Sequence, residues 1–403
     1  MAERRLRTVG LLGTTQTLAW ASSYYLPAML AAPMARELGV SVPMVFAAFS
    51  AALIVSAVLG PFAGRAIDRF GGRPVLAGTN LIFALGLAGL AVADGPMSLF
   101  AAWIVLGVGM GSGLYEAAFA ALVRLYGRSS RDAITGITLL AGFASTVGWP
   151  LSTLLEASVG WRGACLTWAA LHLAIGLPLN LLLPKATPLT EPALQEEASA
   201  GPADSSAAQQ RPPARRVAFL LAFVFAATWF ISTAMAAHLP QLLQASGASL
   251  TAAVAAGALV GPAQVGARML EYGLLRRLHP LLSARLATLM HPLGAATLAL
   301  VGAPGAAAFA VLHGAGNGIL TIAKGTLPLV LFGPHAYGAR QGLLMVPARV
   351  AQAFAPWLFG LCLDRWGAGA LWLTSGIGLA AAGALLWMPR VGSTTASSAP
   401  ARA

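Results

Sequence analysis

Residues 97–123 read MSLFAAWIVLGVGMGSGLYEAAFAALV, and Glu116 is the only charged residue among them. A helix crosses the hydrocarbon layer with about 20 apolar residues, so this stretch is a membrane span. Eleven further runs of the same kind can be marked, giving in order 8–33, 42–64, 74–93, 97–123, 132–157, 161–183, 217–243, 250–275, 281–302, 305–332, 339–363 and 367–388 (spans 1–12). Composition agrees: of 403 residues, 58% are hydrophobic and 9% charged, with mean hydropathy +0.75. A soluble domain carries about 25% charged residues. Soluble, collagen-like, disordered and disulfide-scaffold classes are therefore excluded. The fold class is an all-α membrane protein of twelve transmembrane helices.

The net charge of +12 is not a nucleic-acid signal. With the N-terminus inside, 19 of the 25 Lys and Arg fall on the cytoplasmic side, and only Arg36, Arg162 and Arg365 fall outside. That is the positive-inside distribution, and it predicts both termini in the cytoplasm. The run after Glu3, Arg4, Arg5 and Arg7 is too long and too polar-studded for a cleaved signal, so it reads as span 1. Cys165 and Cys362 stand far apart in apolar runs with no ligand at metal spacing, so no metal, redox centre or cofactor is expected.

Residues 184–216 are rich in Pro, Ala, Ser, Gln and Glu and lack aromatics, the composition of a flexible linker. They divide the chain into six-helix bundles at 1–183 and 217–389, and 390–403 read as a disordered tail. The halves echo each other. Gly109, Gly111 and Gly113 recur as Gly314, Gly316 and Gly318, and Tyr25-Leu26-Pro27 as His238-Leu239-Pro240. Gly60-Pro61 matches Gly261-Pro262, and Gly136 with Pro150 matches Gly342 with Pro356. A tandem six-plus-six repeat implies a rocker-switch transporter with its site between the halves near the midplane.

The loop after span 2 spells Gly64, Asp68, Arg69, Gly71 and Arg73 in the order Gly-x-x-x-Asp-Arg-x-Gly-x-Arg. This resembles the signature of the major facilitator superfamily. The resemblance implies a gating latch, in which Asp68 pairs with arginines and with the positive end of a helix from the other half. The alternative is that these charges only anchor the loop at the headgroups. The second half has no faithful copy: Gly266 is followed by Glu271, Arg276 and Arg277. A finer similarity is to the monocarboxylate and oxalate–formate branch. It rests on Gly109-x-Gly111-x-Gly113-Leu-Tyr115, on Gly160-Trp161-Arg162-Gly163, and on Gly261-x-x-Gln264-x-x-x-Arg268 in span 8. That resemblance implies a substrate-carboxylate role for Arg268 and a second cation at Arg349. Gln264 stands where the branch has an acid linked with proton coupling, and Met269 where it has proline.

Charges inside the hydrocarbon layer are costly and mark function by default. Arg268 has two readings, a fork for a substrate carboxylate or a structural pair with Glu271 at i+3. Arg349 near mid-bilayer binds an anion or pairs with a distant acid. Lys324 lines the cavity or snorkels to the inner headgroups. Glu116 is the protonatable coupling residue, or a fixed partner of Arg349, Lys324 or Arg124. Gln264, Tyr115, Asn317, Tyr25 and His238, with Gln16, Tyr24 and Trp229, can supply the few polar and aromatic contacts of a small-molecule site. His291 and His313 read as packing residues, although His313 could titrate near pH 7.

No Walker loop is present, so transport would run on gradients. The expected protein is a secondary transporter, not an enzyme. It would be a monomer in the lipid bilayer of a bacterial inner membrane, carrying a small organic anion such as a carboxylate. Three intramembrane cations against one or two acids favour that cargo. The rival is proton-driven efflux of drugs or neutral and cationic metabolites.

Overall fold

The structure is a computed structural model that describes residues 2–186, 214–274 and 279–388. Most of the expected linker and all of the expected tail lie outside the described residues, as do Arg276 and Arg277. Among the described residues the chain is helical throughout. Eight stretches of the described residues, some of several helices in succession, are long and apolar enough to cross a membrane; residues 96–181 hold spans 4–6 and residues 337–386 hold spans 11 and 12. Twelve spans in two bundles result.

Span 1 falls outside those eight stretches because its long helix carries Arg4, Arg5, Arg7 and Gln16 and is too polar, and it is also broken. Its helix Ala2–Ser22 stops at the turn before Leu26–Leu38, whose first turn carries Pro27. Three more spans break mid-course, at Leu114 in span 4, at Gly142–Phe143 in span 5 and at Leu259 in span 8. Inside a bilayer an interrupted helix is tolerated only where protein or a cavity receives the freed backbone groups. Span 4 meets that condition directly: Gln16 Nε2 on span 1 donates to the Gly113 carbonyl at 2.7 Å.

The bundles face lipid with large apolar side chains, among them Phe62, Leu85, Leu154 and Trp357, each more than half exposed. Inside, the repeated glycines let helix backbones touch. A Cβ on Gly107 or Gly111 would strike the span 2 backbone, and one on Gly109 would strike Phe83 of span 3. In the second bundle Gly314 and Gly318 lie against span 8 and Gly316 against span 9. By neighbour, then, Gly107, Gly109 and Gly111 correspond to Gly314, Gly316 and Gly318. The spelling alone aligned them two residues later, because Gly113 belongs to the helix break.

The two ends differ. At the end carrying Arg65, Arg69 and Arg73, spans 2 and 11 press backbone to backbone, with Gly64 on Gly338 and Pro61 on Gly342. Along span 8 no such contact forms: a Cβ on Gly261, Gly266 or Gly273 would meet nothing within 4 Å. The opposite end is held within the first bundle by Glu37, which accepts from Arg162 Nε at 2.7 Å and from the Trp161 indole. The Arg162 hydrogen bond, followed by that of Trp161, keeps the exposed Glu37 carboxyl below its ordinary pKa.

Candidate functional site

The breaks in spans 1, 4 and 5 and the continuous spans 7, 10 and 11 converge at the middle of the molecule. Ending one helix at Gly113 starts another at Tyr115, which puts Glu116 in its first turn. The positive end of that helix favours a carboxylate there. Glu116 Oε2 accepts from Arg349 Nη2 of span 11 at 2.8 Å, an ion pair across the two halves. Arg349 also donates through Nη1 to Gln352 Oε1 at 3.0 Å. Of the two readings for each residue, Glu116 and Arg349 are thus found paired.

Lys324 does not snorkel. It is 4% exposed, its Nζ has no hydrogen-bond partner and sits 4.0 Å from the centroid of the Trp229 ring. Cation–π attraction accounts for part of its stabilisation. Trp229 of span 7 in turn lies parallel to Trp20 of span 1, with centroids 6.3 Å apart and planes 4° from parallel. Tyr115 packs 4.9 Å from Trp20, and Tyr25 lies beside Trp20, Tyr24 and Trp149. Both indole N–H groups of this pair are buried without an acceptor.

Arg268 occupies the break in span 5. Its Nη1 donates to Thr138 O at 3.1 Å, lying where Gly142 leaves room that any Cβ would close. Its Nη2 reaches Gln264 Oε1 and Thr321 Oγ1, each at 3.5 Å, and its Nε has no partner. Of the two readings for Arg268, the pair with Glu271 is not formed. Glu271 pairs instead with Arg131 of span 5 at 3.5 Å, because its side chain points towards the arginine-rich end. Arg268 therefore rests on neutral groups only.

Asp68 closes that same end. Its two carboxylate oxygens accept from the backbone N–H groups of Gly338 and Ala339 at 2.9 and 2.8 Å, at the N-terminus of the helix Tyr337–Trp366. This is the helix-end partner that the signature implied. Gly64 permits the approach by lacking a side chain, and Gly71 turns the chain at φ +83°, a conformation glycine adopts without strain. The partner is backbone, however, and not an arginine side chain: Arg124 Nε donates to the Asp68 backbone carbonyl at 3.1 Å, and Arg69 lies over Phe70. Arg73 is partly exposed just beyond, in the first turn of span 3.

With the twelve spans, the two bundles and the buried charges between them described, comparison with known proteins is decisive. The pattern of the Major Facilitator Superfamily matches residues 12–310. The chain belongs to that superfamily. It is a membrane transporter and not an enzyme. In fold it is similar to the human organic anion transporter MFSD10 (TETRAN), at TM-score 0.64 and 19% identity, covering 96% of this chain and all of that one. It is similar also to the superfamily transporter FucP in the outward conformation, at TM-score 0.71 and 14% identity, covering 95% and 99%. A stretch of 157 residues is 36% identical to an uncharacterized 38 kDa protein in the 23S RNA operon of Thermoproteus tenax, 38% of this chain and 40% of that protein. The chain thus matches less than half the length of that relative.

Two expected lining residues of this transporter lie away from the centre. His238 Nε2 contacts Pro356 O at 2.8 Å and its Nδ1 contacts Gln241 Oε1, tying span 7 to span 11 within the second bundle. Asn317 lines a separate cavity inside that bundle. Trp20, Gln352 and Thr321 were missed. Trp20 sits in an otherwise ordinary run of span 1, and only its cross-half neighbour Trp229 gives it meaning. The signal for Gln352 was available, since it follows Arg349 at the i+3 spacing that shares a helix face.

Proposed function

We propose that this transporter moves a small organic anion of the carboxylate class by alternating access, with proton coupling. The observation that carries the reading is the imbalance of unmet groups at the centre. Lys324 Nζ, Arg268 Nε, Gln352 Nε2 and the indole N–H groups of Trp20 and Trp229 are buried donors without partners, against the buried acceptors Gln16 Oε1 and Gln341 Oε1, with Glu271 Oε2 further towards the arginine-rich end. The one acid there, Glu116, is already taken by Arg349. Two cations without a carboxylate, surrounded by orphan donors, ask for a ligand rich in acceptors.

The coupling follows from charge balance. A substrate carboxylate that competes for Arg349 frees Glu116, which then takes a proton. Asp68 at the helix end of span 11, with Arg131–Glu271 and Arg268–Thr138, holds the arginine-rich end shut. We assign that end to the cytoplasm, together with both termini, which makes this the outward-facing state of a monomeric protein of a bacterial inner membrane. The rocking bodies are residues 1–183 and 217–389, and kinship with the monocarboxylate and oxalate–formate branch fits the carboxylate reading.

The test is flux through purified protein in liposomes, offered mono- and dicarboxylates beside a cationic dye, with and without a pH gradient. Carboxylate flux should be present in the wild type and lost in Arg268→Gln, Arg349→Gln and Lys324→Met. Dye movement that survives all three substitutions but fails in Glu116→Gln would overturn the proposal in favour of proton-driven efflux.

A further inference from the structure

A second polar constellation lies inside the second bundle, off the substrate path. His291 of span 9 and His313 of span 10 are 6% and 4% exposed, and their Nδ1 atoms are 3.1 Å apart. At that distance one nitrogen carries a hydrogen and the other accepts it. His291 Nε2 is buried and has no partner in the protein. Both rings line a cavity of about 20 Å³ together with Thr228, Ser232, Thr288 and Asn317. A water needs about 10–15 Å³ and two or more polar partners, so the cavity has the size and lining to hold one.

We infer that His291 and His313 form a single-proton binding site loaded from this cavity. With His291 Nδ1–H donating to His313 Nδ1, His291 Nε2 is a bare acceptor. A proton arriving there from water makes His291 an imidazolium and leaves the bond between the rings intact and charge-assisted. A second proton would place hydrogens on both Nδ1 atoms and break that bond, so the pair holds one and rejects the next. The elements packed around the pair are neutral where they face it. Span 7 offers Thr228, Ile231 and Ser232, span 12 offers Gly378, and Phe309 flanks both rings. The nearest route to other charge runs through Asn317, whose carbonyl accepts from Thr321 Oγ1 at 2.8 Å, which in turn accepts from Arg268 Nη2. The site is distinct from Glu116 and stands whether or not the cargo is an anion.

The contrast within the same molecule is His172. Its Nδ1 and Nε2 meet Asn80 Oδ1 at 2.9 Å and Ser22 Oγ at 2.8 Å, so both ring nitrogens already have protein partners.

The experiment is 15N ring-nitrogen NMR of the full-length protein in nanodiscs, titrated between about pH 8 and pH 4, where histidine changes charge. With six histidines in the chain, single substitutions assign the signals. His291 and His313 should titrate together with one shared midpoint and take up one proton, while His172 stays neutral. In His313→Leu, checked for folding by its melting temperature, His291 loses its acceptor and its proton affinity should fall about tenfold, the worth of one hydrogen bond to a charged group. Two rings that stay neutral throughout like His172, that titrate independently, or an affinity of His291 unchanged in His313→Leu would each overturn the assignment.

Discussion

The two bundles repeat one plan of glycines and helices but treat their buried polar groups differently. In the first, His172, Ser22 and Asn80 close on one another across spans 6, 1 and 3. In the second, the histidine pair, Lys324 and Arg268 all keep a nitrogen without a protein partner. A closed network fixes a structure, and an open one leaves free energy for something that arrives. Both bundles leave single groups open, Gln16 Oε1 and the Trp20 indole N–H in the first among them, so the contrast lies in the titratable nitrogens: closed at His172, open at His291, Lys324 and Arg268.

The largest test of that contrast is at the seam. Arg349→Gln strands Glu116 in the interior and should destabilise the protein by about 3–5 kcal/mol, the cost of breaking a buried ion pair. Adding Glu116→Gln should recover most of the loss in a denaturant or thermal melt. A double variant no more stable than Arg349→Gln would mean that the pair does not join the bundles energetically.

Next in size is the closed network. His172→Leu leaves Ser22 and Asn80 without their partner, a loss of about 1–3 kcal/mol. His291→Leu should cost less, because cavity water can take up the vacated bond. Equal shifts in melting temperature would erase the contrast between the bundles.

Lys324→Met should move the other way. Removing a buried cation that no acid compensates should raise stability by about 0.5–2 kcal/mol, as ligand-site changes often do at the expense of activity. Carboxylate uptake should be lost in the same variant. Lower stability with uptake retained would return Lys324 to a structural role.

The smallest effect is expected at the exposed Glu37–Arg162 pair. The folded carboxyl of Glu37 titrates below its unfolded value. Its contribution is therefore present above about pH 4.3, the ordinary glutamate value, and is lost as pH falls through the lower folded pKa. Glu37→Gln should flatten only this acid limb of a melting-temperature profile, leaving the neutral range unchanged.

Much of this was legible in the sequence, for identifiable reasons. Spans are set by length and hydropathy, which are local. The latch was legible because Asp68 and its glycines sit in one short loop. Partners were not, since Glu116 and Arg349 are separated by most of the chain and several acids and bases were available to each. Of the two readings of Arg268, the pair with Glu271 is not formed for that reason: i+3 spacing proposes a contact, but the opposite bundle offers Thr138 O and Arg131. The break at Leu114 was also hidden, because no proline is near it and only the Gln16 amide donating to the Gly113 carbonyl receives the opened backbone, whereas the break at Leu259 precedes Pro262 and was legible.

The parallel indoles of Trp20 and Trp229 belong to different bundles. Two chromophores held face to face exchange excitation, and that exchange depends steeply on their separation and tilt. Any motion of one half against the other must therefore alter the near-ultraviolet circular dichroism of the pair. The protein carries an optical gauge of its own rocking, readable without a label by subtracting the spectrum of Trp20→Phe.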